Sequence, residues 1–191
     1  MRRRTFSAAL LAGIGIAAVP APIRAAVTPS ARQLDILVLG GTGFLGPPTV
    51  EYALARGHRV TLFNRGKTNA DLFPELETII GDRDPDVGAG LGGLAGRKWD
   101  AVIDNSGYVP RMVAASSGLL APSVGQYLFV STICQYDDWL EGPPGGTEER
   151  PRATLDDPSS EDVSAHYFEL KAYCERAVEA ALDGVEEGTN A

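Results

Sequence analysis

The sequence predicts an α/β fold in which helices wind a parallel sheet on both faces. Two observations predict it. The apolar run Ile36-Leu37-Val38-Leu39 passes directly into glycines at 40, 43 and 46, spaced G-x-x-G-x-x-G, and a helical pattern follows. Beyond it, short β-rich runs alternate with helical stretches, the order that builds a parallel sheet through crossover connections. At 191 residues the chain has the length of one ordinary domain.

The elements follow in order. Ile36–Leu39 is a short, wholly apolar strand of the kind buried on both faces. The glycine loop opens a helix that Thr49–Arg56 continues, and Gly57 closes it as a C-cap. His58–Phe63 reads as the second strand, Glu77–Ile80 as a short third, Asp100–Asp104 as the fourth and Gln126–Val130 as the fifth. Pro110–Leu120 is the helix between the last two, with proline at its first position. A polar stretch rich in Pro and Gly runs from Asp137 to Ser160, long enough for a functional loop. An Ala- and Glu-rich helix then reaches Leu182, and residues 183–191 read as an unstructured tail. This order is that of a doubly wound, Rossmann-type domain over residues 34–182.

Residues 1–26 stand apart from it. Arg2, Arg3 and Arg4 precede an apolar run from Ala8 to Val19 and a small-residue end, the pattern of an export signal. Arg3-Arg4-Thr5-Phe6 fits the twin-arginine form R-R-x-F, so export to the periplasm or the extracellular space is the expected location. A cytoplasmic protein with a misassigned start is the alternative. The apolar run is too short for a comfortable stable membrane anchor. Loss of the four leader arginines takes the net charge from −8 to −12. So acidic a domain argues against nucleic acid as a partner. The two cysteines, Cys134 and Cys174, have no metal-ligand spacing and make no disulfide framework. Asp82, Asp84 and Asp86 have the spacing that opens a calcium loop, but Val87 and Gly93 stand where it needs glycine and glutamate. No metal site is expected.

A strand ending in glycines lets a pyrophosphate approach the backbone, and the following helix presents its N–H groups and positive dipole end. The loop Gly40–Gly46, including Phe44 and Leu45, is therefore a candidate dinucleotide site. Tyr167 and Lys171, spaced Y-x-x-x-K, lie on one face of a helix. An ammonium beside a phenol favours the phenolate, and a phenol tuned this way can exchange a proton with a substrate oxygen. Alone the pattern is common in amphipathic helices. After a glycine-rich first strand and a fifth strand ending in hydroxyl residues, it carries weight.

On these residues the chain resembles the short-chain dehydrogenase/reductase superfamily, and most of all its extended branch, the NAD-dependent epimerase/dehydratases, over about residues 34–182. Gly40, Gly43 and Gly46 match the family's cofactor loop. Val130–Tyr136 matches its S-S/T-x-x-x-Y segment, which gives Thr132 the place of the catalytic hydroxyl, with Ser131 the other choice. Tyr167 matches the proton-transferring tyrosine. Lys171 matches the lysine that also holds the nicotinamide ribose. Asp82 matches the acidic residue that contacts adenine, and Asn105 opens the segment that lines the cofactor.

The resemblance implies an NAD(P)-dependent oxidoreductase, epimerase or dehydratase acting on a small molecule such as a sugar nucleotide. Assembly as a homodimer is also compatible with it. Many NAD-binding relatives end the second strand with an acid, whereas this chain has Asn64, Arg65 and Lys67. Asn64 suits a ribose hydroxyl, and the two cations suit a 2′-phosphate, so NADP is slightly favoured over NAD. Family members continue into a sixth strand and a substrate region. Neither is legible before Ala191, so a truncated enzyme with weak turnover is expected. The alternatives are a non-catalytic nucleotide-binding module and an inert fragment.

Overall fold

The computed structural model describes residues 27–136 and 146–189. The expected export signal, residues 1–26, lies outside the described residues, as does part of the long polar loop. Five strands form one sheet: β1 (Asp35–Leu39), β2 (Arg59–Asn64), β3 (Glu77–Ile80), β4 (Trp99–Asp104) and β5 (Val124–Phe129). Every pairing is parallel and the order is β3-β2-β1-β4-β5. Neighbouring strands β1 and β4 therefore lead outward in opposite directions along the sheet. This is the switch point at which such folds bind ligands, beyond the strands' carboxyl ends.

Three α-helices complete the layers: α1 (Gly46–Ala55), α2 (Pro110–Leu120) and α3 (Val163–Thr189). The two-residue period of β1 divides its side chains between two cores. Ile36 and Val38 pack with Val50 and Ala53 of α1, while Leu37 and Leu39 pack with Leu120 of α2. Tyr127 and Phe129 of β5 meet Val113 of α2 and Cys174 and Val178 of α3. Thus α1 covers one face, and α2 and α3 the other.

Pro110 starts α2 and Pro47 follows the first residue of α1, positions where the missing N–H leaves no intrahelical bond unmade. α3 contains a break at His166 (φ −131°, ψ 35°), so Tyr167 begins the long continuous stretch of that helix. Asp162 caps the turn before it, accepting from the backbone N–H groups of Ser164 (3.0 Å) and Ala165 (3.2 Å).

One expectation is corrected. Residues 183–189, read as unstructured, continue α3 to Thr189. Gly184 and Gly188 each cost a helix about 1 kcal/mol relative to Ala. That does not stop a helix already nucleated and packed over the preceding turns.

Candidate active site

The glycine loop leaves β1 at the switch point, and its three spaced glycines meet different constraints. Gly40 has φ +85°, and an added Cβ would stand 2.7 Å from the Cβ of Ser106. A Cβ on Gly46 would collide with the Gly41 carbonyl, which holds the start of α1 against the loop. Gly43 is different: the nearest atom to its added Cβ is the Gly40 carbonyl oxygen, 3.8 Å away. The protein itself leaves space there.

The donors around that space are not those expected. Gly46 N–H donates to the Gly43 carbonyl at 3.0 Å, and Pro47 and Pro48 have no N–H to offer. The first turn of α1 is therefore poor in free donors. The N–H groups of Phe44 and Leu45 find no acceptor among the described residues, so free donors remain in the loop rather than in the helix. The side chain of Phe44 is fully out in solvent, and that of Leu45 is exposed.

On the β2 side, Asn64 is the last residue of the strand. Its Oδ1 accepts from Gly66 N–H at 2.7 Å, which leaves the amide Nδ2 as its donor. Arg65 and Lys67 are exposed just beyond it. Asn69, missed in the sequence, sits at φ +45° and donates from Nδ2 to the Thr42 carbonyl at 3.0 Å, tying this loop to the glycine loop. The left-handed conformation is one that Asn tolerates, a weak cue at best. Asp82 follows β3 and accepts from Asp84 N–H at 3.0 Å. Asn105 follows β4, and its Nδ2 is buried without a partner.

The Lys171 side chain is buried, with its ammonium donating to the carbonyls of Gly107 (2.8 Å) and Val130 (2.6 Å). It also lies 4.0 Å from the centre of the Phe129 ring. Burial pulls its pKa down. Tyr167 lies at the other end of the Y-x-x-x-K pair, its ring centre 6.2 Å from that of Tyr108. The expected lowering of its phenol is not found. Burial pushes the Tyr167 pKa up, and the Tyr108 phenol and the Cys134 thiol add to the shift. Lysine and tyrosine share a helix face, yet the lysine's charge goes to backbone carbonyls.

Thr132 caps the short 3-10 turn Ile133–Gln135 through an Oγ1 that accepts from Cys134 N–H at 3.3 Å. Its hydroxyl proton remains available to donate. The Oγ of Ser131 is buried and unpaired. Thr132, Tyr167 and Lys171 thus gather around two backbone segments, Gly107–Tyr108 and Val130–Cys134. A groove of about 750 Å³ beside α1, lined by Tyr52, Arg56, His58 and Ile103, lies over the opposite face of the sheet from α3. Among the described residues no cluster of His, Cys, Asp and Glu could hold a metal, and no helix is long and apolar enough to cross a membrane.

A dinucleotide fits these residues. Gly43 leaves the room a side chain would fill, Phe44 and Leu45 offer unclaimed N–H groups, and Asn105 has an orphaned buried amide. Residues 36–184 match the family model described as the NAD dependent epimerase/dehydratase family. A 3-beta-hydroxysteroid dehydrogenase of Mycolicibacterium neoaurum is 38% identical over 61 residues, 31% of this chain and 17% of that protein. A UDP-glucose 4-epimerase of Neisseria meningitidis is 42% identical over 52 residues, 27% of this chain and 15% of that protein. A Bordetella bronchiseptica enzyme solved in complex with NAD superposes with a TM-score of 0.59 at 20% identity, over 80% of this chain and 51% of its own. The chain thus spans about half the length of that structure.

Proposed function

The chain belongs to the NAD-dependent epimerase/dehydratase family, and we propose that it binds a nicotinamide dinucleotide across the β1/β4 switch point and serves sugar-nucleotide oxidoreduction, epimerisation or dehydration. The observation that carries this reading is the open space at Gly43 beside the unclaimed N–H groups of Phe44 and Leu45, beyond the same carboxyl ends of the strands at which Lys171 meets Gly107 and Val130.

When bound, the nicotinamide supplies a site that accepts or returns hydride. Gly40–Gly46 holds the pyrophosphate. Asn64 and Asp82 would take the adenosine end, Lys171 would hold the nicotinamide ribose, and Asn105 would line the cofactor. Thr132 donates its hydroxyl proton to the reacting substrate oxygen and orients it. Tyr167 Oη gives up or takes the proton at that oxygen. The exposed Arg65 and Lys67 support NADP slightly over NAD, since both reach solvent just past Asn64, where a 2′-phosphate would sit.

Replacing Tyr167 by Phe tests the chemistry. With UDP-glucose as probe, turnover should fall by roughly 10²–10⁴-fold, the scale of a lost general acid–base, while NADH and NADPH affinity stays unchanged. An unchanged turnover sinks the assignment of Tyr167. Failure of the parent chain to bind either nucleotide sinks the whole reading.

A second reading, nucleotide binding without catalysis, is favoured by one observation: the Lys171 ammonium is committed to carbonyls and the Tyr167 phenol is pushed up. Wild-type binding with no turnover on UDP-sugars or hydroxysteroids would select it. We also propose twin-arginine export, supported by Arg3-Arg4-Thr5-Phe6. Replacing Arg3 and Arg4 by Lys should retain the protein in the cytoplasm on cell fractionation, and unchanged export would overturn it.

A further inference from the structure

Charges from two distant segments meet in the interior beneath the crevice. Asp104, at the end of β4, has no exposed surface. Arg83, from the β3–β4 connection, places both terminal nitrogens of its guanidinium on the two carboxylate oxygens of Asp104. Tyr127 Oη of β5 donates to the same carboxylate at 2.9 Å, and Ser106 N–H at 3.2 Å. Arg83 also donates to Ser116 Oγ of α2 at 2.9 Å. Three elements and two loops are joined through this one ion pair.

A buried ion pair is a poor source of net stability, because desolvation offsets much of the attraction. What this one does supply is a fixed separation. Its two residues are the immediate neighbours of groups placed on the crevice: Asp82 precedes Arg83, and Asn105 and Ser106 follow Asp104. Ser106 is also the residue that closes against Gly40. Otherwise the Asp82 loop is tied by Gly81 N–H to the Asn64 carbonyl (3.0 Å) and by a fork from Arg111 to Asp84 (both 2.9 Å). Neither of these ties crosses to β4.

We infer that Arg83 and Asp104 are a positioning pair for the dinucleotide. They hold Asp82 on one side of the crevice and Asn105–Ser106 on the other at a set distance, so nucleotide affinity depends on two charges that never touch the nucleotide. This rests on the cofactor reading above.

The test titrates the full chain with NADH, and with ADP as the adenosine half, in the parent and in Arg83→Lys, Tyr127→Phe, Asp104→Asn and Val178→Ala. Arg83→Lys keeps the charge and loses the fork. Tyr127→Phe removes a single hydrogen bond. Val178→Ala loosens the α3 core, which packs on the Tyr127 ring but makes none of the pair's hydrogen bonds, and so controls for packing and stability alone. The expected result is a roughly tenfold loss of affinity for both NADH and ADP in Arg83→Lys, the scale of one lost charged hydrogen bond. Tyr127→Phe should show a smaller loss of the same kind, and Val178→Ala none.

If Asp104→Asn does not fold, the Lys and Phe variants decide. Equal affinities in Arg83→Lys and Val178→Ala, both folded, overturn the inference, as does an NADH loss without an ADP loss. No binding by the parent chain overturns the cofactor reading itself.

Discussion

The ammonium of Lys171 donates to the Val130 carbonyl at 2.6 Å, fastening the helix that carries Tyr167 to the end of β5. The same nitrogen reaches Gly107 beyond β4 at 2.8 Å, so one side chain binds three segments that all border the candidate active site. Lys171→Met should therefore lose stability as well as function. Hydrogen bonds to charged groups contribute about 1.5–3 kcal/mol each, and a decrease of that order is expected in urea unfolding. A variant of unchanged midpoint would show that Lys171 does not anchor the helix.

The three spaced glycines should separate into two classes. Gly46→Ala forces a Cβ into the Gly41 carbonyl and should lower the melting temperature by several degrees. Gly43→Ala meets no protein atom closer than 3.8 Å and should melt near the parent value while losing most of its nucleotide affinity. Calorimetry paired with NADH titration checks both. A Gly43→Ala protein that binds normally would move the pyrophosphate elsewhere.

Cofactor choice is testable at the exposed cations. Replacing both Arg65 and Lys67 by Ala should weaken NADPH binding about tenfold, the scale of one or two phosphate contacts, with NADH binding unchanged. Equal losses for the two nucleotides would assign these side chains to a shared part of the cofactor.

The two thiols should differ in reactivity. Burial pushes the Cys174 thiol up to about 12. It therefore stays protonated through neutral and mildly alkaline pH, and only the thiolate reacts. Cys134 is partly exposed. Iodoacetamide at pH 8 should add one label per folded chain, at Cys134, with Cys174 reacting only on unfolding. By linkage, the raised Cys174 pKa contributes stability below the ordinary thiol value of 9.0, and this is lost as pH rises through about 12. Two labels on the folded protein would contradict the buried position.

The sequence by itself determined the strand order along the chain, the helices α1 and α2, and the glycine loop that leaves β1. Each depends on neighbours a few residues apart: the apolar run Ile36–Leu39, the proline that opens α2, the spacing of Gly40, Gly43 and Gly46. Thr132, Tyr167 and Lys171 entered as local patterns set against a family resemblance, and their catalytic roles remain the proposal made above.

Tertiary structure alone decided what those residues meet. Lys171 finds Gly107 across 64 positions of sequence, and Arg83 finds Asp104 across 21, separations over which no periodicity survives. The electrostatics followed from those meetings. The lysine's charge went to carbonyls and the phenol of Tyr167 rose, because burial and the partner in reach fix a pKa, and spacing along a helix fixes only who shares a face.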